Sequence, residues 1–193
     1  MPSLRMKWSG TPFEIPEVPE GYKFHVHVRG NDPIFTDEEA MGKEWLKMIV
    51  TGIEVEESFI DEYFNDPMIP DDGFFMVLDK DNKIVANAGI QFGKTTPDSA
   101  TLHMVVADPE HRGKKLGKIV TAAVLDYAQK HNMFEVYLST GDERKAAVIM
   151  YLKLGFRPCL YTAGMEERWC ALFDEFNYQD RRVLDANENE IVI

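Results

Sequence analysis

The chain has 193 residues, 45% of them apolar, and a formal net charge of −12. A chain of this length can bury roughly 70% of the surface its unfolded form exposes, so it needs no metal or disulfide staple, and one domain with extensions is the natural expectation. The acidic balance argues against general nucleic-acid or anionic-membrane binding, because phosphate-rich surfaces repel it.

Residues 1–21, MPSLRMKWSGTPFEIPEVPEG, are rich in Pro and Gly and read as an N-terminal arm. They lack a signal-peptide apolar core, and no run in the chain is long enough to span a bilayer, so a cytoplasmic protein is expected. Tyr22 to Val28 alternates as a strand does. Thr36 followed three residues later by Glu39 has the form of a capping box, and Trp45, Leu46, Ile49 and Val50 then recur at helical spacing. A second helix is predicted from about Val55 to Phe64, ended by Asn65-Asp66-Pro67. FFMVLD and KIVANAGIQF read as two strands joined by a tight turn, and Thr101 to Asp108 as a third. Leu116, Ile119, Val120, Ala123, Val124 and Tyr127 form a helical stripe. FEVYLST reads as a strand, ERKAAVIMYLKLG as a helix closed by Gly155, and FRPCLY as a strand. EERWCALFDEF fits a helix or an irregular strand, and DANENEIVI a loose tail. The order is that of an α+β protein.

Cys159 and Cys170 match no zinc-ligand spacing and read as free thiols of a reducing compartment. GxSxG and HExxH motifs are both absent. The informative stretch is DPEHRGKKLGK, Asp108 to Lys118, between a predicted strand and a predicted helix. Read blandly, Gly113 and Gly117 shape a turn that basic side chains solvate. Read functionally, it is an anion cradle: N–H groups at a helix start point outward, and the helix dipole favours negative charge there. Positive side chains in a first turn oppose that dipole by roughly 0.3–1 kcal/mol each, a cost that an anionic ligand reverses. The spacing is neither GxxxxGK[ST] nor GxGxxG.

This strand, loop and helix resemble the pyrophosphate loop of the GNAT acyltransferases, whose pattern is Gln/Arg-x-x-Gly-x-Gly/Ala. Arg112 matches its first position and Gly117 its last, while Lys115 stands where the middle glycine is usual. A second landmark is similar to the family's Asn-x-x-Ala-x-x-x-Tyr helix followed by Gly-Phe: Ala147, Tyr151, Gly155 and Phe156 match, with Arg144 in the Asn position. Without the resemblance, Ala147, Met150, Tyr151 and Leu154 read as a core stripe. The resemblance spans roughly Tyr22 to Tyr161. It implies a three-layer α/β/α fold, with a mixed, mostly antiparallel twisted sheet carrying helices on both faces. The division expected is an arm at 1–21, a GNAT domain at 22–162, and a C-terminal extension at 163–193 packed on it or free.

The resemblance further implies acetyl-CoA as cosubstrate, no metal, and direct transfer of an acetyl group to an amine. The family's fourth strand splays from the fifth and binds the pantetheine arm, which carries over to Val105, Val106 and Ala107. The pyrophosphate would sit on the backbone of Arg112, Gly113, Lys114, Lys115, Leu116, Gly117 and Lys118. Val106 is the expected oxyanion donor. Tyr151 suits a general acid, since a phenol of pKa about 10 can protonate a thiolate of pKa about 8.5. His103 is the candidate base, an imidazole predicted on the same strand face as Thr101 and Val105, with a partly buried strand histidine as the alternative. His25 and His27 are weaker candidates, and Glu54, Glu56 and Glu57 either line an acceptor pocket or form a solvated face. The acceptor is a small-molecule or protein amine, and the acidic field favours a cationic one. The EIVI end is open to pairing with a sheet edge in its own chain or in another, the latter giving a homodimer. A catalytically weak acyl-CoA sensor or interaction module and an unrelated phosphate-binding α/β protein stay as alternatives.

Overall fold

The structure, a computed structural model, describes residues 2–49 and 64–193. The fold is mixed α+β. It divides into two compact units, one of Ile15–Met133 and one of Met1–Glu14 with Phe134–Ile193. The helix expected over 55–64 and the carboxylates Glu54, Glu56 and Glu57 lie almost wholly outside the described residues, as does Val50.

The larger unit carries β2 (Lys23–His27), α1 (Glu38–Ile49), β3 (Phe74–Leu78), β4 (Ile84–Phe92), β5 (Ala100–Ala107) and α2 (Leu116–Lys130), while β1 (Leu4–Trp8) belongs to the other unit. Strands β2 to β5 form an antiparallel meander in chain order. Every residue of β3 is buried, which its unbroken apolar run FFMVL allows. Side chains alternate across a strand. Phe74, Met76 and Leu78 accordingly join Met41, Trp45 and Leu46 of α1 in one cluster. Phe75, from the alternate set, meets Tyr127 of α2 edge to face at 5.3 Å. The predicted stripe is the buried face of α2, with Leu116, Ile119, Val120, Ala123 and Val124 all buried. The cap of α1 is Asp37 rather than Thr36: its Oδ1 accepts from the Ala40 N–H at 3.0 Å. The β3–β4 turn is tied by Asp79 Oδ1, which accepts from Asp81 and Lys83 N–H groups at 2.9 Å each.

The smaller unit holds β1 (Leu4–Trp8), β6 (Val136–Thr140), α3 (Lys145–Lys153), β7 (Arg157–Pro158), α4 (Met165–Phe176), β8 (Arg182–Leu184) and β9 (Glu190–Val192). Part of the expected arm is therefore sheet. Strand β1 lies between β6 and β7 and pairs antiparallel with both. Its Leu4, Met6 and Trp8 have no exposed surface, a burial worth about 1.5–3 kcal/mol per large side chain. Lys7 is buried too, and its Nζ donates to Glu135 at 2.7 Å and Glu188 at 2.5 Å. Burial alone would lower the pKa of Lys7, but hydrogen bonding with Glu135, Glu188 and Tyr137 holds it well above the usual lysine range. Glu188 sits in the turn joining β8 to β9, so the expected loose tail is a hairpin pinned to β1. The ambiguous stretch EERWCALFDEF is helical, as α4, with Trp169 and Phe173 buried. The strand expected over FRPCLY is only two residues long. Among the described residues no helix is long and apolar enough to cross a membrane.

Candidate active site

Strand β5 is not regular. On β4, Asn87 and Gly89 are two residues apart, yet their partners on β5, Val106 and His103, are three apart. One extra residue on β5 makes a β-bulge, which leaves that residue unpaired and bends the strand. The extra length is taken up at Met104, whose φ of +49° is left-handed. That conformation costs a non-glycine residue roughly 1–2 kcal/mol. The Met104 carbonyl accepts from Asn87 Nδ2 at 3.1 Å. A carbonyl can only accept, so the amide nitrogen must face it. Asn87 is fully buried, and its Oδ1 has no partner among the described residues. An unsatisfied buried acceptor costs about 1–3 kcal/mol.

The bulge changes the face on which the candidate base sits. His103 and Val106 oppose Gly89 and Asn87 on one face of β4, so Val106 rather than Val105 continues the face of Thr101 and His103. His103 is only 7% exposed, with its ring 6.4 Å from that of Trp45 on α1. A Cβ added at Gly89 would crowd the Phe74 ring at 3.2 Å and reach ordinary contact with the His103 ring at 3.5 Å. His25 and His27 are engaged elsewhere. Their Nε2 and Nδ1 atoms lie 2.7 and 2.8 Å from Oδ2 of Asp32. Burial would raise the Asp32 pKa, but backbone N–H groups of Phe35 and Ile34 and the two imidazoles hold it far below the usual carboxylate range.

After β5, Asp108 caps a single 3₁₀ turn, Pro109–His111, accepting from the Glu110 N–H at 2.9 Å. Gly113 (φ +81°) and Lys115 (φ +59°) are both left-handed. Lys115 is the N-cap of α2 and its side chain makes no capping hydrogen bond. The N–H groups of Gly113 to Lys118 donate to no acceptor among the described residues. Arg112, Lys114, Lys115 and Lys118 have no carboxylate partner among the described residues, in a chain of net charge −12. Lys114 stands over the Tyr22 ring at 5.7 Å. Unaccepted N–H groups, a left-handed turn and unpaired basic side chains fit a pyrophosphate. Lys115, which stands where the family pattern has glycine, is left-handed, and a lysine carries the strain. Lys115→Gly is expected to stabilise the protein by about 0.5–1 kcal/mol, the relief of strain exceeding the added freedom of the unfolded chain. A urea titration should show the midpoint rising at constant slope, and an unchanged or lower midpoint would refute the strain at Lys115.

Tyr151 belongs to the smaller unit. The buried face of α3 is Val148, Tyr151 and Leu152, while Ala147 and Met150 of the expected stripe are half-buried. The Tyr151 ring packs edge to face on Phe156 at 5.6 Å. Its hydroxyl has no hydrogen-bond partner among the described residues. Burial, opposed only by the Arg144 charge, pushes its pKa up to about 12. Arg144 is the N-cap of α3 without a side-chain capping bond, so it does not reproduce what an asparagine offers there. Gly155, at φ +92°, closes the helix, and the Phe156 N–H returns to the Tyr151 carbonyl at 3.1 Å.

The larger unit thus brings together His103, Val105, Val106, Ala107 and the loop from Arg112 to Lys118. Asn87 is the residue that sequence reasoning passed over. Its only signal was a polar side chain within the apolar run IVANAGI.

The model of the acetyltransferase (GNAT) family matches residues 41–156. A mycothiol acetyltransferase of Nocardiopsis dassonvillei is 29% identical over 174 residues, covering 76% of this chain and 48% of that protein. The chain therefore spans about half the length of this relative. The GCN5-related N-acetyltransferase from Sphaerobacter thermophilus superposes with a TM-score of 0.61 at 19% identity, over 82% of this chain and 49% of that one. A tandem GNAT protein from the clavulanic acid biosynthesis pathway gives 0.63 at 18%, over 81% and 50%. The two structures are likenesses of fold.

Proposed function

The chain belongs to the acetyltransferase (GNAT) family, and from that premise we propose that it transfers an acetyl group from acetyl-CoA to an amine, directly and within a ternary complex. The observation that carries this reading is the loop from Gly113 to Lys118, where N–H groups without acceptors lie beside basic side chains without carboxylate partners, both among the described residues. Acetyl-CoA supplies an acyl group already activated as a thioester. The chain's own residues bind and orient it. Backbone groups of Gly113 to Lys118 hold the pyrophosphate, and Arg112, Lys114, Lys115 and Lys118 add charge. Backbone groups of Val105, Val106 and Ala107 hold the pantetheine arm. The N–H of Val106 meets the carbonyl oxygen where negative charge develops.

Two protons must move. An amine of pKa near 10.4 is mostly protonated at neutral pH, so it must lose a proton before it attacks. His103 is the proposed acceptor of that proton, directly or through water. The Tyr151 hydroxyl, protonated up to about pH 12, delivers a proton to the departing sulfur. The likeness to a mycothiol acetyltransferase over 76% of the chain favours a small-molecule amine over a protein one, and the net charge of −12 favours a cationic one.

Arg144 in the asparagine position favours a second reading, an acyl-CoA-binding domain with weak turnover. Calorimetric titration with acetyl-CoA, ATP and free pantetheine tests the first step of both. Tight binding of acetyl-CoA alone, weakening with salt, is the expected result. Absence of acetyl-CoA binding at low salt would overturn both readings. Binding without turnover across an amine panel would leave the second.

A further inference from the structure

We propose that Asn87 is a positioning residue for the cofactor-binding strand: its buried amide holds the left-handed bulge at Met104 and so sets the direction of the Val105 and Val106 backbone groups. The inference rests on the reading that those groups bind the pantetheine arm and the reacting carbonyl.

In an unbroken ladder, backbone groups of β5 would be committed to β4. The bulge sets three steps of β5 against two of β4 between His103 and Val106, and so releases part of the strand from that pairing. Nothing local in the sequence asks for it. The turning residue is methionine, not glycine, asparagine or aspartate, the types that tolerate positive φ. A tertiary contact must therefore hold it. The contact present is Asn87 Nδ2 to the Met104 carbonyl at 3.1 Å. Asn87 lies opposite Val106 on β5 and opposite Met76 on β3, in the middle of the meander. Its side chain has no exposed surface, and its other polar atom has no partner among the described residues. For packing alone a leucine of similar volume would serve better there, because it brings no acceptor to leave unsatisfied. Among the described residues, the one bond that the side-chain amide makes is the one to the bulge.

The experiment compares the full chain with Asn87→Leu, Met104→Gly and the double variant. Without ligand, the three-bond coupling between the amide proton and Hα of residue 104 reports its φ by nuclear magnetic resonance. In Asn87→Leu that coupling should move to the extended range, with the protein still folded by circular dichroism. Acetyl-CoA affinity should fall about tenfold or more, the worth of one lost hydrogen bond. Adding Met104→Gly should restore most of that affinity, because glycine takes a positive φ without a side-chain penalty. If Asn87→Leu does not fold, Asn87→Ala replaces it, since a methyl group cannot donate to a carbonyl. A coupling and an affinity unchanged in the variant, or no rescue by Met104→Gly, would overturn the role of Asn87. Failure of the unaltered chain to bind acetyl-CoA would instead overturn the functional reading, and the ligand-free coupling keeps the two apart.

Discussion

Tyr151→Phe should bind acetyl-CoA as the unaltered protein does and turn over roughly 10²-fold more slowly, the low end of what a positioned acid contributes. The hydroxyl makes no hydrogen bond among the described residues, so its removal leaves no partner stranded. The ring contact with Phe156 survives the substitution. Stability should therefore be equal or slightly higher while kcat falls, a combination that a purely structural tyrosine cannot give. The pH profile adds a second check. With the phenol held up to about 12, the acid stays protonated from pH 6 to about 10, so no alkaline loss of activity should come from it. Over that range activity should rise with pH, because raising pH deprotonates the acceptor amine. Equal turnover of Tyr151→Phe would remove Tyr151 from the chemistry and leave the sulfur to another donor or to solvent.

Gly155→Val should destabilise the protein by about 3 kcal/mol, adding positive-φ strain to overpacking. The φ of +92° is outside what an L side chain adopts readily, and an added Cβ would stand 2.7 Å from both Cβ and Cγ2 of Thr11. Thr11 cannot simply move aside, because its carbonyl accepts from the Trp8 indole N–H at 3.0 Å and Trp8 is fully buried. For a chain of this size the melting temperature should drop by roughly 6–12 °C. Adding Thr11→Gly should remove the collision but not the φ strain, so about half of the loss should return. A melting temperature within a degree or two of the unaltered chain would mean that residues 11 and 155 are not packed as described. The pair ties the stretch after β1 to the end of the helix that carries Tyr151, although the two are far apart in sequence.

Much of the candidate site was legible because its signals are local. The stripe from Leu116 to Tyr127 repeats at the helical period, and a helix that buries one face against a sheet must show that period. The loop before it stands out through its glycines and its cluster of basic residues. Gly155 after LKL marks a helix end, because few other residues take positive φ cheaply. The misses share a different cause. Leu4 to Trp8 was read as arm, yet its partners on β6 lie more than a hundred residues away. Five residues of alternating sequence do not state what they will pair with. The hairpin at the C-terminus is pinned by Lys7, again from the far end of the chain. The bulge after His103, which moves Val105 off the face of Thr101, is not readable in TLHMV, a stretch with no glycine to announce it.

By itself, then, the sequence determined the elements whose cause is periodicity or turn chemistry, and with them the family and the place of the basic, glycine-bearing loop. Tertiary structure alone decided the place of β1, the clamp on the tail and the irregularity of β5. These depend on side chains brought from distant segments: the Lys7 ammonium to Glu188, and the Asn87 amide to Met104. A hydrogen bond between remote residues leaves no period in either segment, and so it becomes readable only once the chain has folded.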